Sequence, residues 1–113
     1  MIQAQFYQKP GKGSIHMVIN GHANAADKGE DLICASATIL AYTVGQAVQF
    51  FAEQGKLQKQ PKIKIRDGEA VIIATPTEEA YAECLHTFWV AECGIHVLAH
   101  NYPQNVELEP LKA

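Results

Sequence analysis

The sequence predicts an α+β fold, a two-layer sandwich in which two amphipathic helices cover one face of a mostly antiparallel sheet. Several short segments alternate apolar and polar residues, as half-buried strands do. Two longer segments instead repeat apolar residues every three to four positions, as helices with one buried face do. The resulting order, ββαββα with a possible terminal β-strand, packs most economically as two layers.

The first two strands are predicted to form a hairpin. Residues 1–8 and 14–21 each place apolar side chains at alternate positions. The sequence KPGKG between them is rich in turn-forming residues. The second strand is therefore expected to end at Gly21.

The centre of the chain is predicted to hold the first helix and a second hairpin. Residues 32–51 carry apolar side chains at helical spacing, and Gly55 follows as a stop signal. The segment PKIKIRDGEAVIIAT then indicates two strands joined at Asp67 and Gly68, a pair that favours a type I′ turn. The consecutive apolar residues in its second strand indicate a strand covered on both faces, and we expect a homodimer to supply that cover.

The second helix is predicted to begin at a capping box. Thr75 would be the cap, Pro76 the first helical residue and Glu78 the residue that closes the box. Pro103 ends the helical pattern, since proline cannot continue a helix. Residues 105–109 can form a last short strand.

Size and composition limit the class of protein. The 113 residues suit one domain, residues 1–113, which buries about two thirds of its unfolded surface. No apolar run approaches the roughly 18 residues that span a membrane, and the N-terminus does not have the pattern of a secretory signal. We therefore expect a cytoplasmic protein with no membrane partner. The three cysteines form no CxxC pair, which argues against a disulfide framework and a zinc knuckle.

The charge distribution suggests a second kind of function. The net charge of −3 gives the whole molecule no attraction to nucleic acid, so direct nucleic-acid binding is not expected. Five of the nine basic residues nevertheless fall in one acid-free segment, residues 56–66. A solvated loop and a lysine-guarded edge strand explain this segment most simply. The alternative is a noncatalytic, ribosome-associated binding module that docks through it.

Residues 21–36, GHANAADKGEDLICAS, place a histidine and a cysteine at the two ends of a loop. His22 leaves the second strand and Cys34 begins the first helix, so both can reach one end of the domain. Free amides and the helix dipole stabilise a thiolate at that position, and a thiolate beside an imidazole is a minimal acyl-transfer pair. From spacing alone, an inert buried thiol and a loop histidine are the alternative.

Three features around this pair follow from the predicted helix start. Asp31 can cap the helix or orient the imidazole of His22; capping is favoured because the cap position follows directly from where the helix begins. The backbone amides of Cys34 and Ala35 are candidates to hold an oxyanion. Residues 23–30 are small or polar enough for a loop that moves to admit a peptide.

The second predicted helix carries a possible metal site and two further cysteines. Glu92, His96 and His100 recur every four residues on the second helix, a spacing at which paired histidines can bind a metal ion. No further ligand at a matching distance is evident, so surface side chains are the favoured interpretation, and no metal or organic cofactor is expected. Cys84 is interpreted as a core thiol and Cys93 as a residue on roughly the opposite helix face.

The motif itself resembles that of a known family. GHA at residues 21–23, followed by GEDLICAS at residues 29–36, is similar to the signature of the Prp family of ribosomal-processing cysteine proteases. The likeness in length and element order covers essentially the whole chain. It implies that Cys34 is the nucleophile, that His22 is its base, and that Gly21 and Asp31 are motif residues.

The resemblance also carries expectations about substrate and assembly. Members of this family are dimeric and remove a short N-terminal extension from the large-subunit ribosomal protein numbered twenty-seven, cutting after a pair of phenylalanines. One position departs from the pattern, because Thr38 stands where the family usually has serine. The hydroxyl is kept and a methyl group is added, so a hydrogen bond can persist while packing near the site changes.

Overall fold

The computed structural model describes residues 1–23, 26 and 31–109. These residues form an α+β fold with one five-stranded sheet and two helices, as predicted. The elements follow one another along the chain as β1 (Ile2–Lys9), β2 (Ser14–Asn20), α1 (Leu32–Glu53), β3 (Lys62–Arg66), β4 (Glu69–Ala74), α2 (Tyr81–Asn101) and β5 (Val106–Glu109).

The sheet has the strand order β3-β4-β2-β1-β5. All neighbouring strands are antiparallel except β5, which runs parallel to β1. The register places Phe6 opposite Met17 and Met17 opposite Ile72, so these side chains share one face of the sheet. The possible terminal strand is thus confirmed, and it makes the sheet mixed but mostly antiparallel.

The hydrophobic core lies between that face and the two helices. Its fully buried side chains include Phe6, Met17 and Ile72 from the sheet and Val48 and Phe88 from the helices. The helical stripes predicted from spacing supply most of the buried helical positions. Because these stripes dock α1 and α2 on the same face, the start of α1 is brought to the sheet end where β2 finishes.

By length and composition alone, α1 could cross a membrane. A core helix meets the same criteria, and in this fold Ile33, Val44 and Val48 of α1 are buried against the rest of the core. The helix runs two residues beyond its predicted end and is followed by Gly55, whose φ of +73° is the left-handed conformation that glycine adopts readily.

The predicted start of α2 is wrong. The helix begins at Tyr81, and residues 75–77 are instead held by the segment after α1: the amide of Gln58 donates to the carbonyl of Thr75 (2.8 Å), and the amide of Thr77 donates to the carbonyl of Lys56 (2.9 Å). These long-range bonds keep the proposed capping box extended. Thr77 accepts a bond from the amide of Ala80 (3.3 Å), which closes a turn before the helix.

The sheet face away from the helices is mixed in character. Val71 and Ile73 point to it and are half-buried, whereas Ile72 faces the core. His16 lies on the same outer face, where its ring stacks on that of Tyr7 with 4.5 Å between the centroids. The predicted two-sided cover of β4 is therefore partial within the described residues.

Candidate active site

A cavity of about 230 Å³ opens at the end of the sheet where β2 finishes and α1 begins. His22 and Cys34 both line it, and so do Gly21 and Thr38. The remaining lining residues come mainly from α1 and from the β3–β4 hairpin. Four of the five residues singled out in the sequence thus share one cavity, and the fifth, Asp31, holds the helix that carries Cys34.

Asp31 is the N-cap of α1. Its backbone is extended (φ −81°, ψ 98°), and its Oδ1 accepts hydrogen bonds from the amides of Ile33 and Cys34, both at 3.0 Å. This arrangement satisfies two of the amides that a helix start leaves without partners. The capping interpretation of Asp31 is confirmed by this geometry.

The cap leaves the two predicted oxyanion donors occupied. The amide of Cys34 donates to the side chain of Asp31, and the amide of Ala35 donates to the Asp31 carbonyl (3.0 Å). Neither N–H points to an open acceptor position in this conformation. In this structure both predicted donors are therefore hydrogen-bonded to Asp31.

The sulfur of Cys34 receives a hydrogen bond from a different amide. The N–H of Ala23 donates to Cys34 Sγ over 3.2 Å. Ala23 is 2% exposed and Cys34 is half-buried, so this contact is partly shielded from solvent. The contact therefore places a main-chain donor directly on the sulfur that the family resemblance makes the nucleophile.

The imidazole of His22 lies against the turn between β3 and β4. Its Nδ1 is 4.0 Å from Oδ1 of Asp67, and a Cβ added to Gly68 would come within 2.9 Å of its Nε2. The ring is about half exposed. Gly68 therefore serves two purposes: it adopts the left-handed φ of +75° that the turn requires, and it leaves room for the imidazole.

The backbone around His22 is fixed at several points. The amide of Gly21 donates to the carbonyl of Gly68 (2.9 Å), and the amino group of Met1 donates to the carbonyl of His22 (2.6 Å). Gly21 has a φ of +93°, and a Cβ there would lie 2.2 Å from the Met1 carbonyl oxygen. The glycine before the histidine is thus required by backbone approach.

Thr38 acts on the backbone of the nucleophile. One turn along α1 from Cys34, its hydroxyl donates to the Cys34 carbonyl over 2.8 Å. A serine would make the same bond, so the extra methyl group is the only difference at this position. Thr38 also lines the cavity that Cys34 lines.

The basic segment 56–66 is partly neutralised. Lys56 pairs with Glu83 (2.8 Å), and both Lys64 (3.1 Å) and Arg66 (2.9 Å) pair with Glu69. Hydrogen bonds from Arg66 and then Lys64 lower the pKa of the Glu69 carboxyl below its usual value. Three of the five cations thus already contact acids, which weakens the case for this segment as an acidic partner's docking site.

The other candidates do not assemble into a site. Within the part of the chain that the structure describes, no group of three or more histidine, cysteine, aspartate or glutamate residues could hold a metal ion. Cys84 is buried, and burial raises the pKa of its thiol to about 12, so it stays protonated and inert. Cys93 is exposed on α2, as its position in the helical repeat predicts.

The residues that support the site were not evident from the sequence. Asp67 and Gly68 were recognisable only as a turn, and Asn105 only as the start of a strand. Asn105 contacts Ala23 across 82 positions, and no local pattern encodes such a contact. The predicted gate, residues 23–30, falls largely outside the described residues.

Comparison with known proteins places the chain in a family. The sequence profile described as "Cysteine protease Prp" matches residues 1–107. The ribosomal processing cysteine protease Prp of Bacillus subtilis (strain 168) is 40% identical over 48 residues, which is 42% of this chain. That match spans 43% of the length of the curated relative.

Solved structures share the fold. The crystal structure of the ribosomal processing protease Prp from S. aureus with a covalently linked product peptide has a TM-score of 0.74 and 20% identity, covering 99% of this chain and 100% of that one. A structure of the S. aureus protein with a substrate peptide gives 0.67 and 17%, with the same coverage. A protein from Streptococcus mutans gives 0.68 and 24%, covering 99% and 96%. With the profile match over residues 1–107, these findings establish that the chain belongs to the Prp family of cysteine proteases.

Proposed function

We propose that the protein is a cytoplasmic cysteine endopeptidase in which Cys34 is the nucleophile and His22 is the general base. The observation that carries this proposal is the environment of Cys34. Cys34 lies in the first turn of helix α1, and its sulfur accepts a hydrogen bond from the amide of Ala23. Its side chain lines the same cavity as His22. Nucleophilic catalysis by cysteine requires an imidazole that can reach the sulfur, and the shared cavity places His22 and Cys34 on one surface where a peptide could meet both.

The proposed reaction proceeds through an acyl-enzyme. His22 takes the thiol proton, and Cys34 Sγ attacks the carbonyl carbon of the peptide, so that an S–C bond forms while the carbonyl π electrons move onto oxygen. The oxyanion then collapses, the C–N bond breaks, and the imidazolium of His22 gives its proton to the leaving amine. Water, deprotonated by His22, next attacks the thioester, and the S–C bond breaks to release the carboxylate product and restore the thiol.

The proposed substrate is the precursor of the large-subunit ribosomal protein numbered twenty-seven, cut after a Phe-Phe pair during ribosome maturation. Membership of the Prp family supports this assignment. The cavity is compatible with an aromatic side chain, because Ala41, Tyr42 and Ile65 give it apolar lining in addition to Cys34. The S. aureus relative has been crystallised with substrate and product peptides, which favours a peptide substrate.

We also propose that the protein forms a homodimer. The helix faces that point away from the core carry large exposed apolar side chains: Ile39 and Phe50 on α1, and Trp89, Val90 and Val97 on α2. Such a patch on a two-helix layer suits self-association through apolar surface. Sedimentation velocity on the wild type and on Val90→Asp tests this: the wild type should sediment as a dimer and the variant as a monomer, and a monomeric wild type would contradict it.

A peptide cleavage assay tests the proposed activity. A peptide with a Gln-Phe-Phe-Ala core is incubated with the wild type, Cys34→Ala and His22→Ala. Mass spectrometry of the products then identifies the bond that is cut. We expect the wild type to cut after the second phenylalanine, Cys34→Ala to be inactive, and His22→Ala to lose about 100-fold or more in kcat. Cleavage that persists in Cys34→Ala would refute the mechanism, and an uncut peptide would favour the noncatalytic binding module.

A further inference from the structure

We propose that Asn105 is a positioning residue for this site: it fixes Ala23 so that the Ala23 amide supports the negative charge that develops at Cys34, first on the sulfur and then on the oxyanion. The second step, the support of the oxyanion, rests on the proposed function. The first step, the support of the thiolate, is independent of any substrate.

Asn105 is well placed to fix another residue because it is itself fixed. Its carbonyl accepts a bond from the amide of Ile2 at the start of β1 (2.8 Å), and its amide donates to the carbonyl of Tyr102 (2.9 Å). These bonds tie the residue to the end of α2 and to the sheet. Its side-chain Nδ2 then donates to the carbonyl of Ala23 over 2.8 Å.

Ala23 is consequently held on both sides of its α-carbon. The carbonyl of His22 is bound by the amino group of Met1 (2.6 Å), and because N–H and C=O point in opposite directions in a trans peptide, this bond helps to direct the Ala23 N–H toward Cys34. On the other side, Asn105 holds the Ala23 carbonyl. A donor fixed in this way needs no reorganisation when charge appears on its acceptor.

The position of this amide makes it the natural oxyanion donor. The amide nitrogen of Ala23 lies 3.2 Å from Cys34 Sγ, and the oxyanion forms on the carbon that this sulfur attacks, so it develops near the same donor. The amides of Cys34 and Ala35, which the helix start offers, are both engaged by Asp31. As the S–C bond forms and electrons move to the carbonyl oxygen, the Ala23 N–H can transfer its hydrogen bond from sulfur to that oxygen.

The test uses Asn105→Asp and Asn105→Ala in the full chain. Aspartate has nearly the same shape but places a carboxylate opposite the Ala23 carbonyl, whereas alanine removes the contact. Asn101 supplies the matched control, because its side chain also donates to a main-chain carbonyl, that of Val97 (2.9 Å), at an exposed site on α2. Asn101→Asp and Asn101→Ala therefore report the general cost of losing such a bond.

Two measurements are made on each folded variant. The alkylation rate of Cys34 by iodoacetamide is divided by that of Cys93 in the same molecule, which gives a readout that needs no substrate. The kcat and KM for the Gln-Phe-Phe-Ala peptide are then measured. Both Asn105 variants should lower the alkylation ratio and should lower kcat by about 10-fold to 100-fold with KM little changed, whereas the Asn101 variants should leave both at wild-type values.

The outcomes separate this inference from the proposed function. Folded Asn105 variants with the wild-type alkylation ratio and kcat would overturn the inference while leaving the protease intact. An uncut peptide with wild-type protein would overturn the protease, and the alkylation ratio would still decide the role of Asn105.

A third measurement, which needs no Asn105 variant, applies if the Asn105 variants do not fold. In wild type and in Cys34→Ala, the amide proton of Ala23 is followed by NMR, both by chemical shift and by hydrogen exchange. Loss of the sulfur acceptor should move the shift upfield and speed exchange. An Ala23 amide that is unchanged in Cys34→Ala would contradict the hydrogen bond on which the inference depends.

Discussion

The main-chain amide of Ala23 and the sulfur of Cys34, eleven residues apart in sequence, are joined by a hydrogen bond of 3.2 Å. The two groups come from different elements, since Ala23 follows β2 and Cys34 lies in the first turn of α1. Their contact joins the residue after β2 to the first turn of α1 and places a donor on the one cysteine that lines the cavity. The chemistry of that sulfur should therefore differ from that of the other two cysteines.

The first prediction concerns the relative reactivity of the three thiols. At neutral pH, iodoacetamide should alkylate Cys34 first, because its sulfur lies at a helix N-terminus and accepts a main-chain hydrogen bond, a setting typical of reactive cysteines. Exposed Cys93 should follow, and buried Cys84 should react last, since burial raises the pKa of its thiol to about 12. Peptide mapping at timed quenches measures the order. Equal, slow labelling of all three would remove the basis for an activated nucleophile.

The second prediction concerns Gly68. In Gly68→Ala the new methyl group would lie 2.9 Å from Nε2 of His22, so the imidazole must move and kcat for the peptide should fall by about 10-fold or more. Gly55→Ala is the control. Its φ of +73° matches the +75° of Gly68, but no described atom lies within 4 Å of the added Cβ.

The two glycine variants should therefore lose similar stability, about 1 kcal/mol each from left-handed strain, while only one loses activity. Thermal unfolding gives the first quantity and the peptide assay gives the second. If both variants kept the wild-type kcat, the contact between the imidazole and the β3–β4 turn would have no part in catalysis.

The third prediction concerns the cap of α1. Asp31→Ala removes the acceptor of two first-turn amides and should lower the free energy of unfolding by about 1 kcal/mol. It should also slow alkylation of Cys34, because the helix start that carries the thiol will fray. Ser36→Ala is the control: it removes a side-chain bond to the carbonyl of Leu32 in the same turn without removing a cap. Denaturant unfolding that finds no difference between the two variants would argue against the cap.

The fourth prediction concerns alkaline pH. The pKa of the Cys84 thiol is raised by burial from 9.0 to about 12, so above pH 9 the unfolded chain releases this proton while the folded chain retains it. Folding stability from this group is therefore fully present below pH 9 and is lost as pH rises toward 12, by about 1.4 kcal/mol per pH unit. Denaturant unfolding should show a shallower decline in Cys84→Ala, and no change in Cys93→Ala. Parallel curves for wild type and Cys84→Ala would contradict a raised pKa.

How much of this could be predicted from sequence depends on the range of the interactions. The Asp67-Gly68 turn and the Asp31 cap follow from residues adjacent in the chain, and both were predicted correctly. The start of α2 was not, because the bonds that hold Thr75 and Thr77 extended come from the segment after α1. The capping box was the strongest local signal for a helix start, but tertiary hydrogen bonds hold its first residues outside the helix.

The candidate site divides in the same way. His22 and Cys34 could be singled out because each lies beside a predictable strand end or helix start. The hydrogen-bond donors around them could not be identified from the sequence. The Ala23 donor is a main-chain amide, which leaves no mark in the residue type, and Asn105 contacts Ala23 across 82 positions of sequence. Sequence thus identified the reactive groups, and the fold was needed to find what supports them.

Labelling with a Phe-Phe chloromethyl ketone, with the Ala-Ala analogue as control, tests directly whether Cys34 attacks peptides after a Phe-Phe pair. We expect Cys34 Sγ to displace chloride, so that the protein gains the mass of one inhibitor less HCl, much faster with Phe-Phe than with Ala-Ala, and we expect His22→Ala to slow the reaction. Labelling of Cys93 in preference to Cys34, or equal rates with both reagents, would contradict it.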